Sequence, residues 1–315
     1  MPGPILVVIE HDRGAMQEAS GEALTFGRTL AAQLGVECEA LVVADATLAD
    51  ECARYGASTV HVAPVEFLSD YSPEVYGDVI AAAAEALSPS AIVACGTDRG
   101  NEMLAHAAAV LDLPFVANCL SVSPGDGDWT MTRVQWGGSL NEDASLASSL
   151  PIVSVAHHAV SAEDATVATN VSTLEVSVAD TGLRTQITDR DVVEGGLTLA
   201  TAPVVVGGGR GVGSAEGFAV LEALAAKLGG VVVCSRAVTN NGWRPHSDQV
   251  GQTGTRIAPQ LYIACGISGA IQHWVGAKAA KKILAINTDP HANMVVKADY
   301  AVIGDLFEVV PAISE

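Results

Sequence analysis

Residues 235–272 read SRAVTNNGWRPHSDQVGQTGTRIAPQLYIACGISGAIQ. An apolar run, VVVCS, ends immediately before Arg236. A polar, glycine-punctuated segment of about two dozen residues then separates it from the next apolar run, Leu261–Gly266, and a structureless connection that long is uncommon in a compact domain unless it binds something. A second glycine loop, Gly266–Ala270, follows and predicts a helix starting near Ser268. Two such loops at neighbouring strand ends suit an extended nucleotide cofactor.

Outward from this stretch the apolar runs keep recurring. Val204–Gly207, Val231–Ser235, Leu261–Gly266, Ile283–Asn287 and Tyr300–Ile303 are short and apolar, as central parallel strands are. Between the first two, Phe218, Leu221, Ala225 and Leu228 fall on one face of a helix expected over Ala215–Leu228. Toward the N-terminus lies another alternating series. Its strands are expected at Ile5–Ile9, Ala40–Val43, Val60–Ala63 and Ala91–Cys95, with helices at Glu18–Leu34, Leu48–Tyr55, Pro73–Leu87 and Asn101–Leu111. Further strands at Phe115–Val122, Thr130–Trp136, Ile152–Val155 and Leu174–Val178 extend that sheet. The reading is α/β with two domains, each a mainly parallel sheet flanked by helices, the second a doubly wound nucleotide-binding domain. The boundary is placed in the glycine-containing stretch 189–199, giving domains of residues 1–193 and 194–315.

Charge divides along the same line. Residues 1–193 carry 27 acids against 7 bases, whereas residues 194–315 carry 9 of each, so the net charge of −20 belongs to the first part. Nucleic acid is therefore excluded as a partner of that part, because phosphates would be repelled. No apolar run reaches membrane-spanning length, and the start, PILVVIEHD, reads as a core strand without the features of a signal peptide. The six cysteines form no C-x-x-C pair and read as buried thiols of a reducing cytoplasm.

Ligands of open α/β sheets bind beyond the carboxyl ends of the strands, which makes Arg210, Ser235, Arg236, Ser268, Asn287 and Asp305 the residues to test. The turn Gly207–Gly213 contains neither G-x-G-x-x-G nor a P-loop. It reads equally as a tight turn or a ligand contact. Backbone N–H groups in the Gly266–Ala270 turn can receive a phosphate, although a plain strand–helix turn has the same sequence. Arg236 at a strand end needs an acid or a cleft, and its planar guanidinium can lie across an aromatic ring system. The loop Gln249–Gly254 carries donors on both sides of a glycine, as the edge of a heterocycle requires. His157 and His158 are adjacent, hence on opposite faces of a strand, which argues against a shared metal. No metal-ligand spacing, nucleophile elbow or acid–base pair is evident.

Taken together, QVGQTG, APQLYIA, GISGAIQH and ADYAVIGDLFEVVP resemble, in order and spacing, the C-terminal FAD domain of electron-transfer flavoprotein α subunits, and GGGRG fits the family's glycine–arginine turn. The likeness is strong over residues 203–315 and rests mainly on layout before residue 190. It implies that FAD sits on the second domain, lined by Arg210, Ser235, Arg236, Val250, Gly251, Gln252, Thr253, Ser268, Gly269, Ala270, Ile271, Gln272, His273, Asn287, Asp305 and Leu306. By the same resemblance Arg236 covers the flavin ring and favours its anionic reduced forms. Thr253 bonds the N5 region, and His273 lies near the pyrimidine edge. Ser268 and its neighbours hold the pyrophosphate, with Asn287 and Asp305 at the adenosine end. Thr288, Asn240, His246-Ser247 and Cys265 depart from the family pattern.

The implied protein is a redox carrier of fatty acid β-oxidation rather than an enzyme. It pairs with a β subunit that carries AMP, takes electrons from flavin dehydrogenases such as acyl-CoA dehydrogenases, and passes them to a membrane quinone oxidoreductase without inserting into the membrane. The alternatives are a bifurcating α subunit, served by NADH and a second FAD on the β subunit, and an NAD-dependent enzyme on a related fold. No phosphate loop is recognisable in the first domain, which is therefore expected to hold no nucleotide and to bind the partner.

Overall fold

The computed structural model of the chain describes residues 2–125, 127–178, 183–189, 198–199 and 201–314. Two compact units divide the chain, residues 1–136 with 140–191, and residues 137–139 with 192–315. The expected boundary after residue 193 lies outside the described residues.

The first unit runs β1 (Ile5–Val8), β2 (His11–Asp12), β3 (Ala15–Met16), α1 (Glu18–Leu34), β4 (Cys38–Val43), α2 (Ala49–Arg54), β5 (Thr59–Ala63), α3 (Pro73–Leu87), β6 (Ala91–Cys95) and α4 (Asp98–Leu111). It continues with β7 (Phe115–Ser123), β8 (Asp128–Gln135), β9 (Leu140–Ala147), β10 (Ile152–Val155) and β11 (Asn170–Thr173). One sheet holds nine of these strands in the order β11-β5-β4-β1-β6-β10-β7-β8-β9. Pairing is parallel from β11 to β7 and antiparallel at β7–β8 and β8–β9. Helices on both faces explain why β1 and β6, at the centre of the sheet, are apolar at every position. Ile5 and Val7 join one core with Ala23 and Leu24 of α1, while Leu6 and Val8 join another with Val79 and Ile80 of α3.

Two expectations need correction here, and one strand was not anticipated. Leu174–Val178 is not a strand: the strand is the exposed run Asn170–Thr173, paired with β5. The alternation of Leu174, Val176 and Val178 serves packing against the core instead of sheet pairing. Strand β9 gave no signal because its LNEDASLA sequence is largely exposed, and its pairing comes from the antiparallel ladder with β8. His157 and His158 do not extend a strand, because β10 ends at Val155. They sit in the turn beyond it with their rings stacked, centroids 3.6 Å apart.

The second unit runs β12 (Val204–Gly208), α5 (Ala219–Leu228), β13 (Val231–Cys234), α6 (Arg236–Asn240), β14 (Leu261–Cys265), α7 (Ile271–Ala277), β15 (Ile283–Asn287), α8 (Asn293–Lys297), β16 (Tyr300–Ile303) and α9 (Leu306–Ile313). The strand order is β13-β12-β14-β15-β16, parallel throughout. Phe218, Leu221 and Ala225 are buried as expected, but Leu228 is exposed where α5 ends on the left-handed Gly229. The expected helix over Ala215–Leu228 is split into a 3-10 turn at Glu216–Phe218 and α5 proper. The connection after β13 is not structureless, since it holds α6 and a 3-10 turn at His246–Asp248. The helix after β14 starts at Ile271, not near Ser268. Gly269, at φ +74, interrupts it in a left-handed conformation that favours glycine, with no room for a Cβ beside the Met294 backbone nitrogen.

Candidate functional site

In the second sheet β12 connects to β13 on one side, and β13 then crosses over to β14 on the other. The loops after β12 and β14 consequently diverge at a topological switch point, where open α/β sheets place their ligands. Both loops are glycine-rich because their backbones nearly touch. Gly209 N–H donates to the Cys265 carbonyl at 2.9 Å, and Gly211 N–H to the Gly266 carbonyl at 3.1 Å. A Cβ on Gly209 would lie 2.2 Å from the Gly266 oxygen, so no other residue fits without moving the backbone.

A cavity of about 360 Å³ opens there, lined by Arg210, Gly211, Gly266, Ser268, Asn287, Asp289 and Ala292. That volume lies within the range of small-molecule sites. Asn287 braces the wall, its Nδ2 donating to the Ile267 carbonyl at 3.0 Å and its Oδ1 accepting from Asp289 N–H at 3.1 Å. Arg210 is exposed and makes no ion pair among the described residues. At the end of β16, Asp305 caps α9 by accepting from Phe307 N–H at 2.9 Å.

Residues 234–257 form a second polar surface. Ser235 precedes α6 at its N-cap position without a side-chain capping bond, and Arg236 is the helix's first residue, exposed and likewise without an acidic partner among the described residues. The salt bridge that would have explained Arg236 structurally is thus not made there. From α6, the Thr239 hydroxyl donates to Gln249 Oε1 at 2.8 Å, and Gln249 Nε2 donates to the Thr253 hydroxyl at 3.0 Å. Gln249 is 2% exposed and ties the loop to the helix. Because Thr253 accepts this bond, its own O–H remains available to donate. The loop also rests on α7. Gln252 N–H donates to the Gln272 carbonyl at 2.7 Å, and a Cβ on Gly276 would meet Gly251 N at 2.4 Å.

His273, in the first turn of α7, is 6% exposed. Its Nε2 shares a 2.8 Å hydrogen bond with the Tyr262 hydroxyl, whereas its buried Nδ1 has the Val250 backbone near it but makes no hydrogen bond of full geometry among the described residues. Burial lowers its pKa to about 4, opposed by the Val250 backbone, so the ring is neutral at pH 7.

Of the residues expected at a cofactor, Arg210, Ser268 and Asn287 share the cavity wall. Arg236, Gln252, Thr253, Ala270, Ile271, Gln272 and Asp305 are exposed around the strand ends, while Ser235, Val250, Gly251, Gly269, His273 and Leu306 are buried. Gly211 and Gly266 bring the two expected glycine turns to the cavity, whereas Asp289 and Ala292 line it without having been singled out. Gln249 was quoted only as part of a polar loop, and its side-chain bridge depends on a fold that brings α6 and the loop together. A glycine cradle that a Cβ would fill, two guanidinium groups without an ion pair and an imidazole nitrogen without a hydrogen bond, both among the described residues, all fit an anionic nucleotide cofactor. The arrangement can hold such a group and stabilise negative charge on it. Among the described residues it presents no nucleophile with an adjacent base.

The first sheet has its own switch point, between β1 and β6. There the Glu10 carboxylate accepts a hydrogen bond from the Thr97 hydroxyl. Thr97 caps α4, its hydroxyl oxygen accepting from Gly100 N–H at 2.8 Å. Burial raises the Glu10 pKa, with Thr97 and Arg99 opposing. A carboxylate thus occupies the helix start where a phosphate would bind.

Residues 198–278 match the family model described as the electron transfer flavoprotein FAD-binding domain, and residues 5–180 match the electron transfer flavoprotein domain. An electron transfer flavoprotein subunit alpha of Mycobacterium leprae is 38% identical, covering 98% of this chain and 96% of the relative. Protein FixB of Clostridium saccharobutylicum is 35% identical, covering 98% and 94%. An electron transfer flavoprotein subunit alpha of Bacillus subtilis is 33% identical, covering 99% and 96%.

Proposed function

The chain belongs to the electron transfer flavoprotein α-subunit family, and from that premise we propose that its second domain binds one FAD and that the protein carries electrons without turning over a substrate of its own. The observation that carries the reading is the cleft at the second sheet's switch point, with Arg210 and Arg236 unpaired among the described residues at its strand ends in a chain of net charge −20. When bound, the flavin supplies the electron-accepting chemistry.

The chain's residues hold and tune that group. Arg210 and Ser268 face the cavity and bind the pyrophosphate, while Asn287 keeps the cavity wall in place beside Asp289 at the adenosine end. Arg236 provides positive charge along the ring, which raises the reduction potential by favouring the electron-rich state. Thr253 is oriented by Gln249 and donates its free O–H to the ring edge. The orphaned Nδ1 of His273 offers a hydrogen bond to the pyrimidine edge once the loop admits the ring. The buried Val250, Gly251, Gly269 and Leu306 line the same group, and Ser235, Gln252, Ala270, Ile271, Gln272 and Asp305 complete the contact set.

The proposed partners are a β subunit and flavin dehydrogenases as donors, with a membrane quinone oxidoreductase as acceptor. The proposed place of action is the cytoplasm, and residues 1–193 form the partner-binding domain. Among the described residues no helix is long and apolar enough to cross a membrane.

The test is an anaerobic reductive titration of the chain co-purified with its β subunit, followed by visible absorption. One flavin per heterodimer, unresponsive to NADH, is expected. Two flavins bleached by NADH would replace this reading with the bifurcating one, and a flavin-free complex that refuses FAD would overturn it.

A further inference from the structure

Away from the cleft, helix α1 and the turn after β10 bring together Glu22, His157 and His158. One donor atom from each lies within 4.8 Å of the other two. Glu22 is 5% exposed, and its one ion-pair partner among the described residues is His158, with 3.2 Å between Oε1 and Nδ1. Its other oxygen, Oε2, accepts the His158 backbone N–H at 2.8 Å and the Cys95 thiol at 3.8 Å. The carboxylate is therefore already oriented, with Oε1 turned to the imidazole. The two imidazoles stack at 3.6 Å, and His158 adopts φ +65, a left-handed conformation uncommon for a residue with a side chain.

We propose that Glu22, His157 and His158 form a binding site for one divalent transition-metal ion of the zinc class, independent of the flavin cleft. Two imidazoles and a carboxylate are a recurrent donor set for Zn²⁺. Ligands bonded at about 2.0–2.1 Å in a tetrahedral site lie about 3.3 Å apart, close to the 3.2 Å between Glu22 Oε1 and His158 Nδ1, and the donor atom of His157 lies within 4.8 Å of both. In the apo protein a proton occupies that edge, and a metal ion there takes the proton's place while the ring proton moves to Nε2. The Glu22 bond holds the proton on Nδ1 in the metal-free protein, and Nε2, buried without a partner among the described residues, has no hydrogen bond that the shift would break. The bonds from the His158 backbone and Cys95 to Oε2 are the second-shell contacts that orient a ligating carboxylate. Three protein ligands leave a coordination position for water, and the half-buried His157 marks the side from which an ion arrives. A bound ion would tie α1 to the turn after β10 and stabilise the first unit.

The test uses the full-length chain with its partner subunit, stripped with a chelator and titrated with Co²⁺ under visible absorption, followed by Zn²⁺ competition. One Co²⁺ per chain, displaced by Zn²⁺, is expected. His157→Ala and Glu22→Gln should each weaken binding by at least about tenfold, the scale of losing even an outer-shell partner. His246→Ala, which removes an exposed histidine, should match the unaltered protein. Zn²⁺ should raise the unfolding temperature of the unaltered protein and not that of His157→Ala. Thermal unfolding without metal checks that each variant folds, and His157→Ala decides the question if the buried Glu22→Gln does not. Equal Co²⁺ affinity in the unaltered protein and His157→Ala, or no Co²⁺ bound beyond a nonspecific background, would overturn the site.

Discussion

The two switch points share a layout and differ in what fills them. In the second unit the diverging loops are glycines packed backbone to backbone, and Arg210 faces a cavity of about 360 Å³. In the first unit Glu10 fills the corresponding position, bonded to the cap of α4. The nearby cavity is about 170 Å³ and is lined by Asp12, Asp45 and Asp70 beside His11. Sheet topology supplies a crevice in both. What differs is the charge and bulk at two strand ends, an arginine and glycines in one and a carboxylate in the other.

Protonation should separate the two units most sharply. His273 is depressed to about 4 by burial in the fold, whereas an unfolded histidine titrates near 6.5. Its contribution to stability is fully present above the unfolded value and is lost as pH falls from about 6.5 to about 4. By linkage the loss is on the order of 3 kcal/mol. Acid unfolding of the second unit should therefore flatten in His273→Gln, as read by thermal melts across that range. Glu10 has the opposite sign. Its pKa is raised in the fold, so its contribution is fully present below the unfolded value near 4.5 and is lost as pH rises through the raised one.

Steric changes at the cleft come next. Gly209→Ala forces the two loops apart, and overpacking of that kind costs about 1–3 kcal/mol. FAD affinity should fall by roughly tenfold to a hundredfold, measured by reconstituting the apoprotein. Arg236→Ala should leave FAD bound but lower its reduction potential by about 50 mV, equivalent to roughly 1 kcal/mol of lost charge stabilisation for one electron. An unchanged potential in the folded, FAD-loaded variant would remove Arg236 from the ring. Glu10→Gln carries the smallest effect. It should abolish the rise in stability toward acid that Glu10 produces and leave FAD stoichiometry unchanged.

Much of this was legible in the sequence because central parallel strands are short, apolar and spaced by amphipathic helices. Ile152–Val155, Ile283–Asn287 and Tyr300–Ile303 match the expected spans. Exposed edge strands such as β9 and β11 were hidden or displaced, since solvated residues leave no periodic signal. At the site, Arg210, Ser268 and Asn287 could be named from strand ends alone. The burial of His273 and the Gln249 bridge could not, because both depend on how α6, α7 and the intervening loop fold against one another. The Glu22–His157–His158 cluster was missed for a related reason. A strand would have separated the two histidines, but a turn with φ +65 at His158 stacks them.

The central claim is that the second switch point, and not the first, holds the flavin. Titrating the apoprotein, co-purified with its β subunit, with FAD and following flavin fluorescence tests it directly in the unaltered chain, Gly209→Ala and Glu10→Gln. The account predicts one site on this chain, weakened in Gly209→Ala and intact in Glu10→Gln. Full FAD affinity in Gly209→Ala, or loss of the site in a folded Glu10→Gln, would contradict it.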